Sequence, residues 1–314
     1  MTVVLDPDAA AVLKAFREAG RPPYDTLTPD EARDLYLKGS AAARPVPPEM
    51  ASVEDIAIPG PAGKIPARVY RPLSVRRKDG LAPALVFFHG GGWVIGNLDT
   101  HDVVCRTLAR DGELVVVSVD YRLAPEHPFP AGVDDAIVAT RWVAANAQAF
   151  GLDAKRISVG GDSAGGNLSA VVALDARDNG PALQGQLLIY PATDFEMTHP
   201  SHSEPETSCL LTHESIRWFR DQYFTAIEDG QDRRASPARE SNLAGLPRAY
   251  VLTAGADPLR DEGDEYAQRL TAAGVPVTYK TYPGQFHGFV TMGKLLPKAG
   301  EALKDMGDWL KGLG

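Results

Sequence analysis

Short apolar runs separated by amphipathic stretches recur along most of this chain. Helical patterns lie between the runs, as at 133–150 and 264–273. This alternation predicts an α/β fold with a doubly wound, mostly parallel sheet and right-handed crossovers. Two early runs, at 53–58 and 67–71, are predicted as antiparallel edge strands. Strands of the parallel part are predicted at 84–88, 114–119, 156–159, 186–190, 250–253 and 277–282, and the run at 84–88 is typical of a buried strand.

Composition narrows the class of protein. The 314 residues, 44% hydrophobic and 23% charged, suit one elaborated α/β domain of ordinary globular character. A net charge of −9 disfavours nucleic acid and anionic membranes as partners. The first residues do not resemble a secretory signal, and no apolar stretch approaches the length of a membrane span. Cys105 and Cys209 lie far apart and predict free thiols in a reducing cytoplasm, with a disulfide as an unsupported alternative.

A candidate nucleophile follows the strand predicted at 156–159. Residues 161–165 read Gly-Asp-Ser-Ala-Gly, a Gly-x-Ser-x-Gly elbow in its expected setting. A Cβ on either glycine would crowd a serine held at the tip of a sharp turn. A helix predicted at 167–177 would place Ser163 at its N-terminus, where N–H groups favour developing negative charge. The pentapeptide alone could also be a glycine-rich turn before an ordinary helix.

A second motif follows the strand predicted at 84–88. Residues 89–93 read His-Gly-Gly-Gly-Trp. Consecutive glycines are costly in conformational entropy, and they are typical of places where main-chain N–H groups must approach a ligand. Such fixed donors are what the oxygen of a tetrahedral intermediate requires. A flexible loop is the alternative, against which the flanking histidine and tryptophan argue.

Two further polar residues each follow a candidate strand. Asp257 comes after the strand at 250–253, and His287 lies on a glycine-flanked loop after the strand at 277–282. Taken singly, an aspartate before a proline is most often a helix N-cap, and a lone histidine is most often a surface or core residue. Taken with Ser163, they form the order Ser, Asp, His, which is the triad order of α/β-hydrolases.

Two other aspartates compete for the role of the acid. Asp261 and Asp264 lie only a few residues beyond Asp257. Both fall inside the helix predicted after Pro258, so they rank below Asp257. Glu262 could contact the loop of the site, a question that the sequence leaves open.

With these motifs the chain resembles the bacterial hormone-sensitive-lipase-like esterases, which carry HGGG and GDSAG motifs on the α/β-hydrolase fold. The resemblance covers roughly residues 70–310, and its anchors lie at 89–93, 121–126, 161–167, 257–263 and 287–289. It implies that Ser163 is the nucleophile, His287 the general base and Asp257 the acid that orients it.

The same resemblance implies the donors of the oxyanion hole, namely the N–H groups of Gly91, Gly92 and Ala164. We expect His89 to brace the glycine loop through a hydrogen bond. Gly90 and Asp162 are expected as supporting residues, the latter by fixing the elbow. No cofactor is expected, and no cluster of His, Cys, Asp and Glu shows metal-ligand spacing along the chain.

Two segments fall outside the strand–helix alternation, residues 1–45 and residues 194–226. In the second, Thr212 is a candidate N-cap for a helix that ends near residue 224. Several aromatic side chains of that helix need an apolar partner, which favours a cap over two unrelated surface additions. The resemblance also implies a cap. We therefore divide the chain into N-terminal cap helices, an α/β-hydrolase domain and a cap insertion: 1–45, 46–193 with 227–314, and 194–226.

These observations predict a cytoplasmic serine carboxylesterase acting on small hydrophobic esters of short to medium acyl chain, with no nucleic-acid or membrane partner. One alternative is a non-catalytic small-molecule receptor on the same fold, against which the presence of His287 argues. An amidase or a dehydratase on this scaffold is a further alternative. A homodimer is left open.

Overall fold

The computed structural model describes residues 3–313. Its centre is one eight-stranded sheet in the order β1-β2-β4-β3-β5-β6-β7-β8. Strands β3 to β8 pair in parallel, whereas β1 and β2 are antiparallel additions at one edge. The strands are β1 (Met50–Gly60), β2 (Gly63–Pro72), β3 (Ala82–Phe88), β4 (Val115–Val119), β5 (Leu152–Asp162), β6 (Gly185–Ile189), β7 (Arg248–Ala256) and β8 (Val277–Phe286).

Helices cover both faces of this sheet, which is why β3 and β4 are buried at every residue. Alternate residues of β3 face opposite layers. Leu85 and Phe87 belong to one apolar cluster with α3 and α8, and Val86 and Phe88 belong to another with α4 and α5. The helices are α1 (Pro7–Glu18), α2 (Pro29–Ala43), α3 (Asp102–Gly112), α4 (Ala131–Ala145), α5 (Ala164–Asn179), α6 (His213–Tyr223), α7 (Arg260–Ala272) and α8 (Pro297–Lys311).

The predicted doubly wound sheet is confirmed, and the differences lie at element ends. Strand β5 was predicted to stop at residue 159, but it continues because Asp162 still pairs with Ile189 of β6. Strand β8 continues to Phe286, which pairs with Ala256. The long helix predicted at 133–150 is wrong at its end, since α4 stops at Ala145 and a separate 3-10 turn follows.

The segments at 1–45 and 194–226 carry α1, α2 and α6. Thr212 caps α6 as predicted, because its hydroxyl accepts a hydrogen bond from Ser215 N at 3.1 Å. Helix α2 is tied to the loops after β3 and β4 by Arg33, which donates to carbonyl oxygens and pairs with Glu126 at 2.6 Å. Cys105 and Cys209 are free thiols. No helix within residues 3–313 has the length and apolar character needed to cross a bilayer.

Candidate active site

The serine elbow joins β5 to α5. Ser163 has φ +55° and ψ −116°, a conformation that costs free energy for any residue with a side chain. The end of β3 passes so close that a Cβ on Gly161 or Gly165 would collide with the carbonyl oxygen of Phe88. The glycines of the elbow are therefore required by the approach of a neighbouring strand as well as by the turn itself.

Ser163, His287 and Asp257 come together in one hydrogen-bonded line. Ser163 Oγ lies 2.9 Å from His287 Nε2, and His287 Nδ1 lies 2.7 Å from Asp257 Oδ2. The carboxylate fixes the tautomer, because Nδ1–H must donate to it and Nε2 is then left to accept the serine proton. Asp257 is fully buried, and its other oxygen accepts from Leu259 N at 2.8 Å. One side chain thus serves both the histidine and the turn that leads into α7.

The rival acids are engaged elsewhere. Asp261 accepts a hydrogen bond from Ser201 N at 2.9 Å and pairs with Arg260. Asp264 accepts a hydrogen bond from the hydroxyl of Tyr279. Neither aspartate contacts His287, as expected from their position within α7.

The glycine loop turns back sharply after β3. Gly91 and Gly92 have φ +125° and +58°, and Val94 N and Ile95 N both donate to Gly91 O, at 3.1 and 2.9 Å. Within residues 3–313, the N–H groups of Gly91 and Gly92 have no protein acceptor. The N–H of Ala164 is also free, since it opens α5. These three donors are available for an oxyanion next to Ser163.

Asp162 links the elbow to the glycine loop. Its Oδ1 accepts from Gly90 N at 2.9 Å and lies 3.0 Å from His101 Nε2. Burial acts to raise the pKa of Asp162, but His101 and the Gly90 N–H outweigh it, so the pKa is lowered and the carboxylate stays charged. Sequence reasoning missed His101, which lies outside every motif and reaches Asp162 only through the packing of α3.

His89 lies beneath the glycine loop and is fully buried. Its Nδ1 lies 2.9 Å from Gly90 O, and its ring stacks on Tyr121 with centroids 4.5 Å apart. The Tyr121 hydroxyl donates to His89 O at 2.8 Å. Burial lowers the pKa of His89 to about 4, so the ring is neutral near pH 7. Its geometry is that of a brace rather than of a proton carrier.

No cluster with metal-ligand spacing is visible along the chain, but the structure brings His199, His202 and Glu262 to within 4.8 Å of one another. Spacing along the chain could not reveal this, because Glu262 lies on α7, some 60 residues beyond the histidines. Glu262 lies 2.8 Å from His202 Nε2 and accepts from Thr193 N at 2.5 Å, so its oxygens hold the insertion against α7.

A cavity of about 260 Å³ opens above Ser163 and His287. Apart from the site residues, its wall is mostly apolar and comes from the segments at 1–45 and 194–226. Phe219 of α6 lines the cavity, whereas its neighbour Trp218 does not. The main apolar lining residues are Leu13, Phe16, Tyr24, Tyr36, Leu210, Leu211, Ile216 and Phe219.

Comparisons with known proteins show the family of this chain. A family model described as alpha/beta hydrolase fold matches residues 85–291. The chain is 44% identical to the carboxylic ester hydrolase LipN of Mycobacterium tuberculosis, over 93% of this chain and 78% of that protein. It is 39% identical to an ethyl acetate hydrolase of Pseudomonas putida, over 95% of this chain and 96% of that protein.

Solved structures show the same similarity. The ester hydrolase EH1AB1 from the metagenome of Lake Arreo, in complex with a bipyridine phosphonate derivative, superposes with a TM-score of 0.94 at 43% identity. That comparison covers 98% of this chain and 99% of the other. An esterase of Pyrobaculum calidifontis gives a TM-score of 0.88 at 41% identity, covering 98% and 99% of the two chains.

Proposed function

This chain belongs to the alpha/beta hydrolase fold family and is an esterase, and we propose that it is a serine carboxylesterase that forms an acyl-enzyme on Ser163. One observation carries the proposal. Ser163 Oγ, His287 and the buried Asp257 form one hydrogen-bonded line. At its Ser163 end lie three free N–H donors and an apolar cavity.

Acylation begins when Ser163 Oγ attacks the ester carbonyl and its proton passes to His287 Nε2. Asp257 faces the other ring nitrogen and stabilises the imidazolium that forms. The carbonyl oxygen becomes an alkoxide, which the N–H groups of Gly91, Gly92 and Ala164 receive. When the tetrahedral intermediate collapses, the bond to the alcohol oxygen breaks and His287 returns the proton to that leaving oxygen.

Deacylation repeats these steps with water. His287 takes a proton from the water as it attacks the acyl carbonyl, the same three donors hold the oxyanion, and Ser163 leaves with the proton restored. The braced glycine loop requires no reorganisation between the two halves, which is what makes fixed donors effective. The products are a carboxylic acid and an alcohol.

The apolar wall supports the substrate class. We propose that the segments at 1–45 and 194–226 act as a cap that excludes water and limits the acyl chain, so that small hydrophobic esters of short to medium length fit the cavity. A cytoplasmic location stays a prediction, and a homodimer stays open. The hydrogen-bonded His287 favours an enzyme over a non-catalytic receptor, and anilides tested beside esters would distinguish an amidase.

The test is Ser163→Ala, with Ser241→Ala on an exposed loop as the control. Removing the nucleophile should lower kcat on short chromogenic esters by about 10⁴- to 10⁶-fold, because triad members act as a unit. A phosphonate ester should inactivate the parent, with the adduct on Ser163 by mass spectrometry. Robust turnover by a folded Ser163→Ala variant, judged by circular dichroism, would refute the acyl-enzyme.

A further inference from the structure

Two arginines interrupt the otherwise apolar wall of the cavity. Arg17 lies in the last turn of α1, and Arg21 lies just beyond that helix. Among residues 3–313, neither guanidinium has a carboxylate oxygen within 4.0 Å. A positive charge without a counter-ion at the wall of an apolar cavity is uncommon, and it attracts anions.

The acidic residues of the same cavity do not pair with these arginines. Each acidic lining residue is paired with a different basic side chain: Asp162 with His101, Asp194 with Arg239 and Glu262 with His202. Within residues 3–313, neither arginine therefore has a carboxylate partner in the cavity wall, although the whole protein has a net charge of −9.

Aromatic contacts hold Arg21 at a defined distance from the oxyanion loop. Its guanidinium lies 5.3 Å from the centre of the Phe16 ring, and Nη2 donates to Tyr24 OH at 2.8 Å. The Tyr24 ring lies 5.5 Å from that of Phe219, and Phe219 in turn packs directly on Gly92. Two aromatic rings thus separate the guanidinium from the donors beside Ser163.

Arg17 lines the same cavity. Burial raises the pKa of the Cys209 thiol, which also lines the cavity, and the charge of Arg17 acts against that rise. Arg17 is also exposed to solvent. It is free to turn toward a bound group, whereas the aromatic rings hold Arg21 in place.

We propose that Arg17 and Arg21 form an anion subsite that binds a carboxylate carried at the far end of an ester substrate. The planar forks of arginine match carboxylate geometry, and the apolar wall between them and Ser163 fits the methylene chain of such a substrate. The inference rests on the proposed esterase function for its reaction, but the binding step can be measured without it. The carboxylate can lie on the acyl side or on the alcohol side of the ester.

Two matched substrate pairs test the two sides. Monoethyl adipate against ethyl hexanoate places the carboxylate on the acyl chain, and omega-acetoxyhexanoate against hexyl acetate places it on the alcohol. For each pair the measured quantity is the ratio of kcat/KM for the anionic ester to that for the neutral ester. In at least one pair, Arg17→Gln and Arg21→Gln should each lower this ratio about tenfold, the scale of one charge-assisted hydrogen bond.

Control variants separate recognition from general effects. Lys14→Gln removes the same charge from α1, at a side chain that is 76% exposed and does not line the cavity, and it should leave both ratios unchanged. Arg21→Lys keeps the charge and should retain part of the preference. Added salt should lower the ratio of the parent, because exposed charges are screened. Ratios that are the same in the parent, the Gln variants and Lys14→Gln would overturn the subsite.

Calorimetry on Ser163→Ala tests binding without turnover. The anionic ester of at least one pair should bind this variant more tightly than its neutral counterpart, and the added Arg17→Gln substitution should lower the difference. If the parent hydrolyses neither ester while this binding difference persists, the esterase proposal fails and the subsite stands. If the parent hydrolyses the esters of both pairs with no dependence on either arginine, the subsite fails and the esterase proposal stands.

Discussion

At the scale of single residues, Asp162 shows how one carboxylate aligns two motifs that are distant in sequence. It directly precedes Ser163, yet its oxygen accepts the N–H of Gly90 at the start of the glycine loop. A Cβ on Gly90 would collide with this carboxylate, so the loop closes onto it only because the residue is glycine. Ser163 and the N–H groups of the glycine loop are thus held relative to each other by a buried charged hydrogen bond.

The choice of triad acid gives the first residue-scale prediction. Asp257→Asn keeps the shape of the side chain but removes the charge that faces His287, so kcat should fall about 10³- to 10⁴-fold. Asp261→Asn should stay within a few-fold of the parent, since an amide oxygen can still accept from Ser201 N. The measurement is kcat on a short chromogenic ester for both variants at matched stability. A larger loss in Asp261→Asn would mean that the acid is wrongly assigned.

A pH-dependent prediction concerns Asp120, which lies 3.8 Å from His89 behind the glycine loop. Burial, helped by Asp99 and opposed by Arg68, raises the pKa of Asp120 to about 6. In the unfolded chain the carboxyl titrates near 3.8. Below that pH the Asp120 carboxyl is protonated in both the folded and the unfolded state, so it costs the folded state no stability. Between pH 3.8 and 6 the unfolded state ionises first, so the folded state loses stability as pH rises.

Asp120→Asn should therefore stabilise the protein at pH 7 by about 1–2 kcal/mol, after allowance for partial exposure of the side chain. The gain should shrink as pH falls and vanish near pH 4. Urea unfolding of parent and variant at pH 4, 5.5 and 7 measures it. An equal difference at all three values would show that packing, rather than ionisation, separates the two proteins.

At the scale of elements, α6 has a second role beside lining the cavity. Phe219 packs on Gly92 so closely that a Cβ on that glycine would enter its ring. One turn further on, Tyr223 stacks on Trp93, with ring centroids 4.6 Å apart and planes 10° from parallel. This helix therefore supports the glycine loop from the cavity side, as Tyr121 supports it from below through His89.

Trimming Phe219 to Ala should consequently slow the hydrolysis of all esters, including acetates, because the space left beside Gly92 lets the oxyanion donors move. We expect kcat on an acetyl ester to fall about tenfold, within the range for a weakened oxyanion donor. Trp218→Ala is the matched control, since Trp218 does not line the cavity. Values of kcat and KM for acetyl and hexanoyl esters distinguish the effects. A change in KM alone would limit Phe219 to a role in substrate fit.

The same scale shows what the sequence could predict. Apolar runs predicted the buried strands β3, β4 and β7, because a strand covered on both faces has few polar positions, whereas the edge strand β8 carries exposed polar residues such as Lys280. The triad followed from strand ends, where side chains of parallel strands meet at one edge. The contacts of His101 with Asp162 and of His202 with Glu262 could not be foreseen, since they depend on how α3 and the insertion pack. For the same reason, the sequence could not predict which aromatic side chain of α6 faces the cavity.

At the scale of the whole molecule, the segment that leads into α1 is fastened next to His287. Asp6 N donates to Gly284 O at 2.9 Å, and Asp6 Oδ2 accepts from Gln285 Nε2 at 2.9 Å. Gln285 is fully buried and lies two residues before His287. Helix α1 therefore closes the cavity and also holds the end of β8.

Deleting residues 1–27 removes α1 and leaves α2 and its Arg33 contacts in place. This deletion should therefore test both roles of α1 while the sheet is kept. Loss of the α1 wall opens the cavity, so kcat/KM should fall more for hexanoyl than for acetyl esters, because the longer chain loses more apolar contact. The melting temperature should drop by several degrees, on the order of that expected for a loss of 1–2 kcal/mol.

Two single variants keep this prediction testable if the truncated chain does not fold. Tyr24→Ala removes part of the wall and should reproduce the chain-length effect with little change in kcat on acetyl esters. Asp6→Ala removes the contact with Gln285 and should lower kcat on every ester equally, because it acts through the strand that positions His287. An unchanged chain-length profile in both the truncated chain and Tyr24→Ala would mean that the first helices do not limit the substrate, and the cap would then consist of the insertion alone.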